Sequence, residues 1–355
     1  MPKKMIMVGT GGFGKFWCEH FLPPNLKDKT VEVVAAVDVN PAALDNAQQF
    51  LGLSDEQCFT DLRKCFGSVR ADCCALVIPP HFKEKAVTLA LKNGLHILCE
   101  KPIAEDLKTA KRIAAKVKKA RKKMGITMSH RFDQDKQSLK RELDSGKHGR
   151  LDYLVCRLTC SWRDWTASGD NWRDRMVDFV LQDCAVHHLD LLADLAGAPC
   201  EELYAESWTK PWSGFKTNTQ CLVTMKMKNG VRALCEFGLS NAAGLNSWGH
   251  EYIRAECEKD TLILDHRRLE RFPYDPKGRY GARREGSGKE LSLVKGRKWS
   301  NALLIEKFAK WISGGPKMET NVADNLQAMA LVEAAVQSNT KGRPIMVQRL
   351  LEKSS

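Results

Sequence analysis

The chain has 355 residues, with 56 Lys or Arg against 43 Asp or Glu, and so a formal net charge of +13. Its 43% hydrophobic residues are the ordinary share for a globular protein, and the length suffices for two domains with cores of their own. No apolar run reaches the ~18 residues of a transmembrane helix, and the short run after the basic start passes straight into glycines, which predicts a first strand and not a signal peptide. Thirteen scattered cysteines with no C-x-x-C pair argue against a disulfide frame and a structural zinc site, and for a reducing, cytoplasmic setting. The positive charge permits nucleic acid or an anionic ligand such as a pyrophosphate, and establishes neither.

Lys4–Val8 reads as a β run that enters Gly9-Thr10-Gly11-Gly12-Phe13-Gly14, a G-x-G-x-x-G followed by an amphipathic helix ending at Pro23-Pro24. A second β run, Val31–Val37, closes on Asp38. The glycines allow a tight turn and close approach to a pyrophosphate, and an acid at that point suits a ribose hydroxyl and repels a 2′-phosphate. Helices follow over Pro41–Phe50 and Asp61–Phe66, then a buried strand Cys73–Ile78, a helix His81–Asn93 and a strand Leu95–Cys99 that runs into Glu100-Lys101-Pro102. Alternating strands and helices predict a doubly wound parallel sheet, with Gly9, Asp38, Pro79 and Glu100 at strand ends lining one crevice.

Asp106–Met124 reads as a strongly basic helix with one apolar stripe. No aromatic residue is interleaved to stack on a base, so it is taken as a solvated outer face, with no nucleic acid and no membrane as partner. Ile126–Ser129 is read as the last strand of a first domain, 1–130, and 131–355 as an α+β second domain. After the helix Gln134–Leu143, that second domain shows alternating strands at Tyr153–Trp162, Glu202–Trp208, Gln220–Lys228, Val231–Leu239, Glu251–Cys257 and Thr261–Leu264, with a hairpin at Asn229-Gly230. They predict a large, mainly antiparallel sheet. Trp165 and Trp172 stand in the polar loop Arg163–Arg175, which suits either carbohydrate stacking or a packed lid. Pro273–Gly296 reads as a mobile basic insertion, and Leu303–Ser313 and Val322–Asn339 as closing helices.

The polar stretch that needs a reason is Gln182–Gly197, QDCAVHHLDLLADLAG. Read as one α-helix at ~100° per residue, it puts Asp183, His187 and Asp190 within roughly 60° of one another. An imidazole beside carboxylates on an apolar helix is either a satisfied polar cluster or a proton-transfer site. His188 points away from that face and is expected to be packed or exposed without a catalytic part.

With these residues laid out, the chain resembles the glucose–fructose oxidoreductase, inositol dehydrogenase and MocA (Gfo/Idh/MocA) family over nearly its full length. The likeness rests on GTGGFG, HILCEKP at 96–102, HRF at 130–132, DCAVHHLD at 183–190 and KGRPI at 341–345. It implies a dinucleotide-binding Rossmann domain joined to an open-sheet α+β domain that makes a homodimer or homotetramer. It implies a catalytic set of Lys101, Asp183 and His187, with Arg131 and Trp172 joining these at the substrate. Gly9, Gly11, Gly12, Phe13, Gly14, Asp38, Pro79, His81, Glu100, Lys101 and Pro102 would hold NAD, favoured over NADP by Asp38, and no metal is expected. The implied reaction is hydride transfer at a secondary alcohol of a sugar, cyclitol or glycoside sugar unit. An NAD-retaining lyase or glycosidase working through a transient 3-keto sugar, and a non-catalytic dinucleotide sensor, stay open beside it. Two positions depart from the family pattern: Lys83 stands where a histidine is common, and Cys184-Ala185 follow the motif aspartate in place of glycine.

Overall fold

The computed structural model describes residues 1–163, 173, 176–276 and 288–352. They divide into two compact units, one formed by 1–132 with 297–329 and the other by 133–296 with the segment from 330 on. The expectation that everything beyond 131 belongs to the second unit does not hold, because 297–329 folds with the first.

The first unit begins with β1 (Lys3–Val8), α1 (Phe13–Phe16), a π turn (Trp17–Phe21), α2 (Pro23–Lys27), β2 (Val31–Val37), α3 (Pro41–Leu51), β3 (Cys58–Phe59) and α4 (Leu62–Ser68). It continues through β4 (Cys73–Leu76), α5 (Pro80–Lys92), β5 (His96–Cys99), α6 (Leu107–Lys119) and β6 (Met124–Ile126). The six strands are parallel in the order β3-β2-β1-β4-β5-β6. Met5 to Val8 and Cys73 to Leu76 are all buried, as strands covered on both faces must be. The winding reverses between β1 and β4, and that fork is where such sheets take their ligands. Pro23 stands at the first position of α2, where its missing N–H costs nothing, so it starts a helical turn instead of ending one. The last strand falls two residues before the Ile126–Ser129 expected. In α6, Leu107, Ala110, Ile113 and Val117 are buried, and Asp106 caps the helix by accepting from Thr109 N at 2.7 Å.

The second unit opens with α7 (Gln134–Asp144) and β7 (Leu151–Thr159), then a π turn (Val180–Cys184) and α8 (Val186–Ala196). Strands β8 (Cys200–Trp208), β9 (Gln220–Met227), β10 (Arg232–Gly238), β11 (Tyr252–Cys257), β12 (Asp260–Asp265), β13 (Arg268–Pro273) and β14 (Lys289–Leu291) follow. After α9 (Ser300–Ile312) and α10 (Leu326–Lys341) come β15 (Ile345–Met346) and α11 (Val347–Glu352). The nine strands lie in the order β14-β13-β12-β11-β7-β10-β9-β8-β15. Only β7 and β10 run parallel; the other neighbours are antiparallel. Gly230, at φ +93°, makes the expected hairpin between β9 and β10. Residues 277–287 of the basic insertion lie outside the described residues; on either side of them β14 pairs with β13, and Val294 N donates to Ser138 Oγ at 2.9 Å.

Helix α9 completes the core of the first unit. Leu304, Ile305 and Phe308 join Trp17 and Leu22 in one buried cluster. Asn25 Nδ2 donates to Ala302 O at 2.9 Å, and the buried Lys298 reaches Asn25 Oδ1 at 2.7 Å and Glu306 at 3.0 Å. All thirteen cysteines are free. No helix among the described residues is long and apolar enough to cross a membrane.

Candidate active site

The glycine loop sits where β1 ends. A Cβ on Gly9, which has φ +88°, would lie 2.1 Å from Val77 O, and one on Gly14 would lie 2.1 Å from Gly9 O. Only glycine lets the turn close this tightly on β4 and on the following helix. Nothing lies within 4 Å of a Cβ built on Gly12, so the loop packs on its inner side and is open on its outer side. Asp38 Oδ2 accepts from Thr10 N at 2.8 Å and Gly11 N at 3.1 Å, and Oδ1 accepts from Asn40 N at 2.9 Å. Three amides thus fix the carboxylate at the mouth, with lone pairs left for ribose hydroxyls. A cavity of about 890 Å³ opens here, lined by Gly9, Gly11, Asp38, Pro79, His81 and Phe82 among others. Its shape and donors fit the adenosine and pyrophosphate half of a dinucleotide. Phe13 is 49% exposed beside it in the chain.

Glu100 was expected in that wall and is not part of it. Its side chain turns inward: Oε1 accepts from Trp17 Nε1 at 3.0 Å and Oε2 from Lys101 N at 3.1 Å. Burial pushes its carboxyl above the usual range, against the ammonium charges of Lys101 and Lys83. The Lys101–Pro102 peptide is cis. Two hydrogen bonds thus hold Glu100 inside the turn, and Lys101 beside it is half-buried. Arg131 lies in a 3₁₀ turn, Ser129–Phe132, of the same unit; burial works against the Asp324 carboxylate, but hydrogen bonds from Lys317 and Asn321, and then the charges of Lys317 and Arg131, bring its carboxyl below the usual value.

The polar helix of the second unit is not one α-helix. Asp178 caps it, accepting from Leu181 N at 3.1 Å and Asn218 Nδ2 at 2.9 Å. Residues 180–184 then form a π turn, closed by Ala185 N to Val180 O at 2.7 Å, before α8 begins at Val186. An i→i+5 bond admits an extra residue into the turn. Asp183 and His187 thus stand on two successive helical segments, and the constant angle per residue used above does not link them. Gly197, at φ +68°, ends α8 as expected. Asp183 is 6% exposed and His187 7% exposed. Arg173 Nε donates to Asp183 Oδ2 at 2.7 Å, a partner that the polar loop's composition did not single out. The His187 ring meets Trp248 edge-on, with centroids 6.2 Å apart. His188 is fully buried against Phe237 and Trp248 and stands 3.5 Å from Glu251. Glu251 in turn pairs at 2.7 Å with the buried Lys136. Burial works against that ammonium, but Glu251, Asp135 and Asp133 outweigh it and hold its pKa above the ordinary lysine value. Trp172 lies outside the described residues.

Two family models match the chain: an oxidoreductase family with an NAD-binding Rossmann fold over residues 3–128, and the GFO/IDH/MocA C-terminal domain over 137–262. The chain belongs to the Gfo/Idh/MocA family. Its first unit is the family's NAD-binding domain, and the protein is an oxidoreductase. The uncharacterized protein y4oX of Sinorhizobium fredii is 46% identical over 352 residues, 99% of this chain and 98% of that one. Inositol 2-dehydrogenase of Corynebacterium glutamicum is 27% identical over 232 residues, 64% of this chain and 65% of that one. An inositol dehydrogenase homolog from Azotobacter vinelandii, solved with NADH and myo-inositol, shares the fold at TM-score 0.79 and 18% identity, covering 98% of each chain.

Proposed function

We propose that the chain is an NAD-dependent dehydrogenase or reductase acting on a secondary alcohol of a sugar, cyclitol or glycoside sugar unit. What carries this reading is the Glu100-Lys101-Pro102 turn, at the carboxyl end of β5 in the sheet whose β1 and β2 end at the glycine loop and at Asp38. A lysine ammonium beside the nicotinamide end can also stabilise charge on a reacting oxygen, a role that a sensor does not need, which weighs against one. The relatives named for polyol oxidation point the same way.

In the oxidative direction the substrate loses a hydride from carbon and a proton from its hydroxyl. Bound NAD supplies the hydride acceptor. His187 accepts the proton, Asp183 orients the imidazole or holds a neighbouring hydroxyl, and the Lys101 ammonium stabilises charge developing on the oxygen. Gly9, Gly11, Gly12, Phe13, Gly14, Asp38, Pro79 and His81 hold the adenosine and pyrophosphate end, and the turn at Glu100 to Pro102 holds the nicotinamide end. Arg131 joins the substrate pocket.

A panel of sugars and cyclitols, followed by NADH absorbance and by product analysis, tests the proposal. Stoichiometric NADH with a ketone product supports it. Product formed with no net NADH would assign the transient-oxidation chemistry instead, and tight NAD binding with no turnover of any polyol would assign a sensor.

A further inference from the structure

The roles assigned above leave the buried cation of Lys83 unused. Lys83, in the first turn of α5, is 0% exposed. Its Nζ donates to Glu100 O and, at 2.6 Å, to Pro102 O. The two acceptors are backbone carbonyls on either side of Lys101. Hydrogen bonds from an ammonium are roughly twice as strong as those between neutral groups, and main-chain carbonyls in a loop have little freedom to follow a mobile partner. From the other side, Trp17 and the Lys101 amide hold the Glu100 carboxylate. The peptide before Lys101 and the one after Pro102 are therefore held from α5, and the Glu100 carboxylate from the glycine-loop helix.

We propose that Lys83 is a positioning residue: its ammonium sets the Glu100–Lys101–Pro102 turn in the geometry that receives the nicotinamide end of NAD. The inference rests on the reading that this turn holds that end. It predicts an effect on one half of the cofactor only.

The test is titration calorimetry with NAD and with ADP-ribose, which has the adenosine and pyrophosphate but no nicotinamide. Lys83→Met keeps the length of the side chain and removes its donors. It should weaken NAD about tenfold or more, the scale of a lost charged hydrogen bond, and leave ADP-ribose within about twofold. Lys83→Gln retains two N–H donors and should recover part of the loss. A parallel loss for both ligands would mean a general collapse of the pocket and would overturn the proposal, as would unchanged NAD affinity. Should Lys83→Met not fold, Lys83→Gln carries the same comparison: weaker NAD with intact ADP-ribose supports the proposal, and any other pattern overturns it. If the unsubstituted protein binds both ligands equally, the placement of the nicotinamide has failed and the proposal falls with it. If the nicotinamide adds affinity and Lys83→Met leaves that increment intact, the proposal alone fails.

Discussion

His187 and His188 are consecutive, yet their rings have different surroundings. His188 has no exposed surface, lies against two aromatic rings and reaches toward Glu251. We expect His187→Ala to leave NAD affinity near that of the unsubstituted protein and to lower turnover by roughly 10² to 10⁴ at saturating NAD, the usual worth of a positioned acid–base group. His188→Ala empties a packed site and removes a neighbour of Glu251. Chemical denaturation should show a loss of about 2–4 kcal/mol, with the folded fraction still active. Were turnover to survive His187→Ala and vanish in Lys101→Ala, the proton acceptor would be Lys101. Asp38 makes a separate prediction. Its carboxylate is locked by Thr10, Gly11 and Asn40 amides and cannot swing away from a 2′-phosphate, so NAD should bind tighter than NADP, and Asp38→Ser should narrow the gap. NADP binding tighter than NAD would show that the end of β2 has been misread.

At the scale of elements, α5 matters because it carries Lys83 and is tied to α6. Glu84 pairs with Arg112 and Lys116, each at 2.9 Å. Arg112 first and Lys116 second bring its carboxyl down to about 2. The stability this lends is present above the unfolded carboxylate value near ~4.3 and is lost as pH falls through about 2. Both partners are exposed enough for solvent screening, so the worth is about 1 kcal/mol or less. Thermal unfolding of Glu84→Gln should thus start slightly below the unsubstituted protein at neutral pH, and the difference should close toward pH 2 and in high salt. The elements themselves were unevenly legible. The buried strands β1, β2, β4 and β5 and the glycine turn announce themselves, because continuous apolar runs and glycine punctuation have few other causes. The π turn at 180–184 does not, since a 3.6-residue period assumes the ladder it interrupts. The edge strands β3, β14 and β15, of two or three residues each, are too short to show an alternation. Lys83 reads as surface in any composition argument, because lysines are almost never fully buried; only the carbonyls of a loop seventeen residues later in the chain explain it.

On the scale of the whole molecule, the nine-stranded sheet has an exposed face on which apolar side chains stand among charged ones such as Arg157, Lys226 and Arg232. Leu222 in β9 is 43% exposed, Leu234 in β10 37% and Trp208 in β8 40%. We propose that this face joins copies of the chain into a dimer or tetramer. Native mass spectrometry should find that species, and Leu222→Glu combined with Leu234→Glu should shift it toward monomer; a monomeric unsubstituted protein at micromolar concentration would end the idea.

The return of residues 297–329 to the first unit has a consequence for synthesis. Phe308, Ile305 and Leu304 close the core around Trp17, but the ribosome supplies them only after the whole of 133–296 has been made. At ~5–20 residues per second that delay is on the order of ten seconds or more. The nascent N-terminal sheet must wait through it with one side of its core uncovered, although the glycine loop and Asp38 have already been translated. The order of translation is therefore not the order in which the two units can finish folding. A chain released early, with its nucleotide-binding motif whole, would still lack the helix that seals Trp17, the residue whose indole holds Glu100.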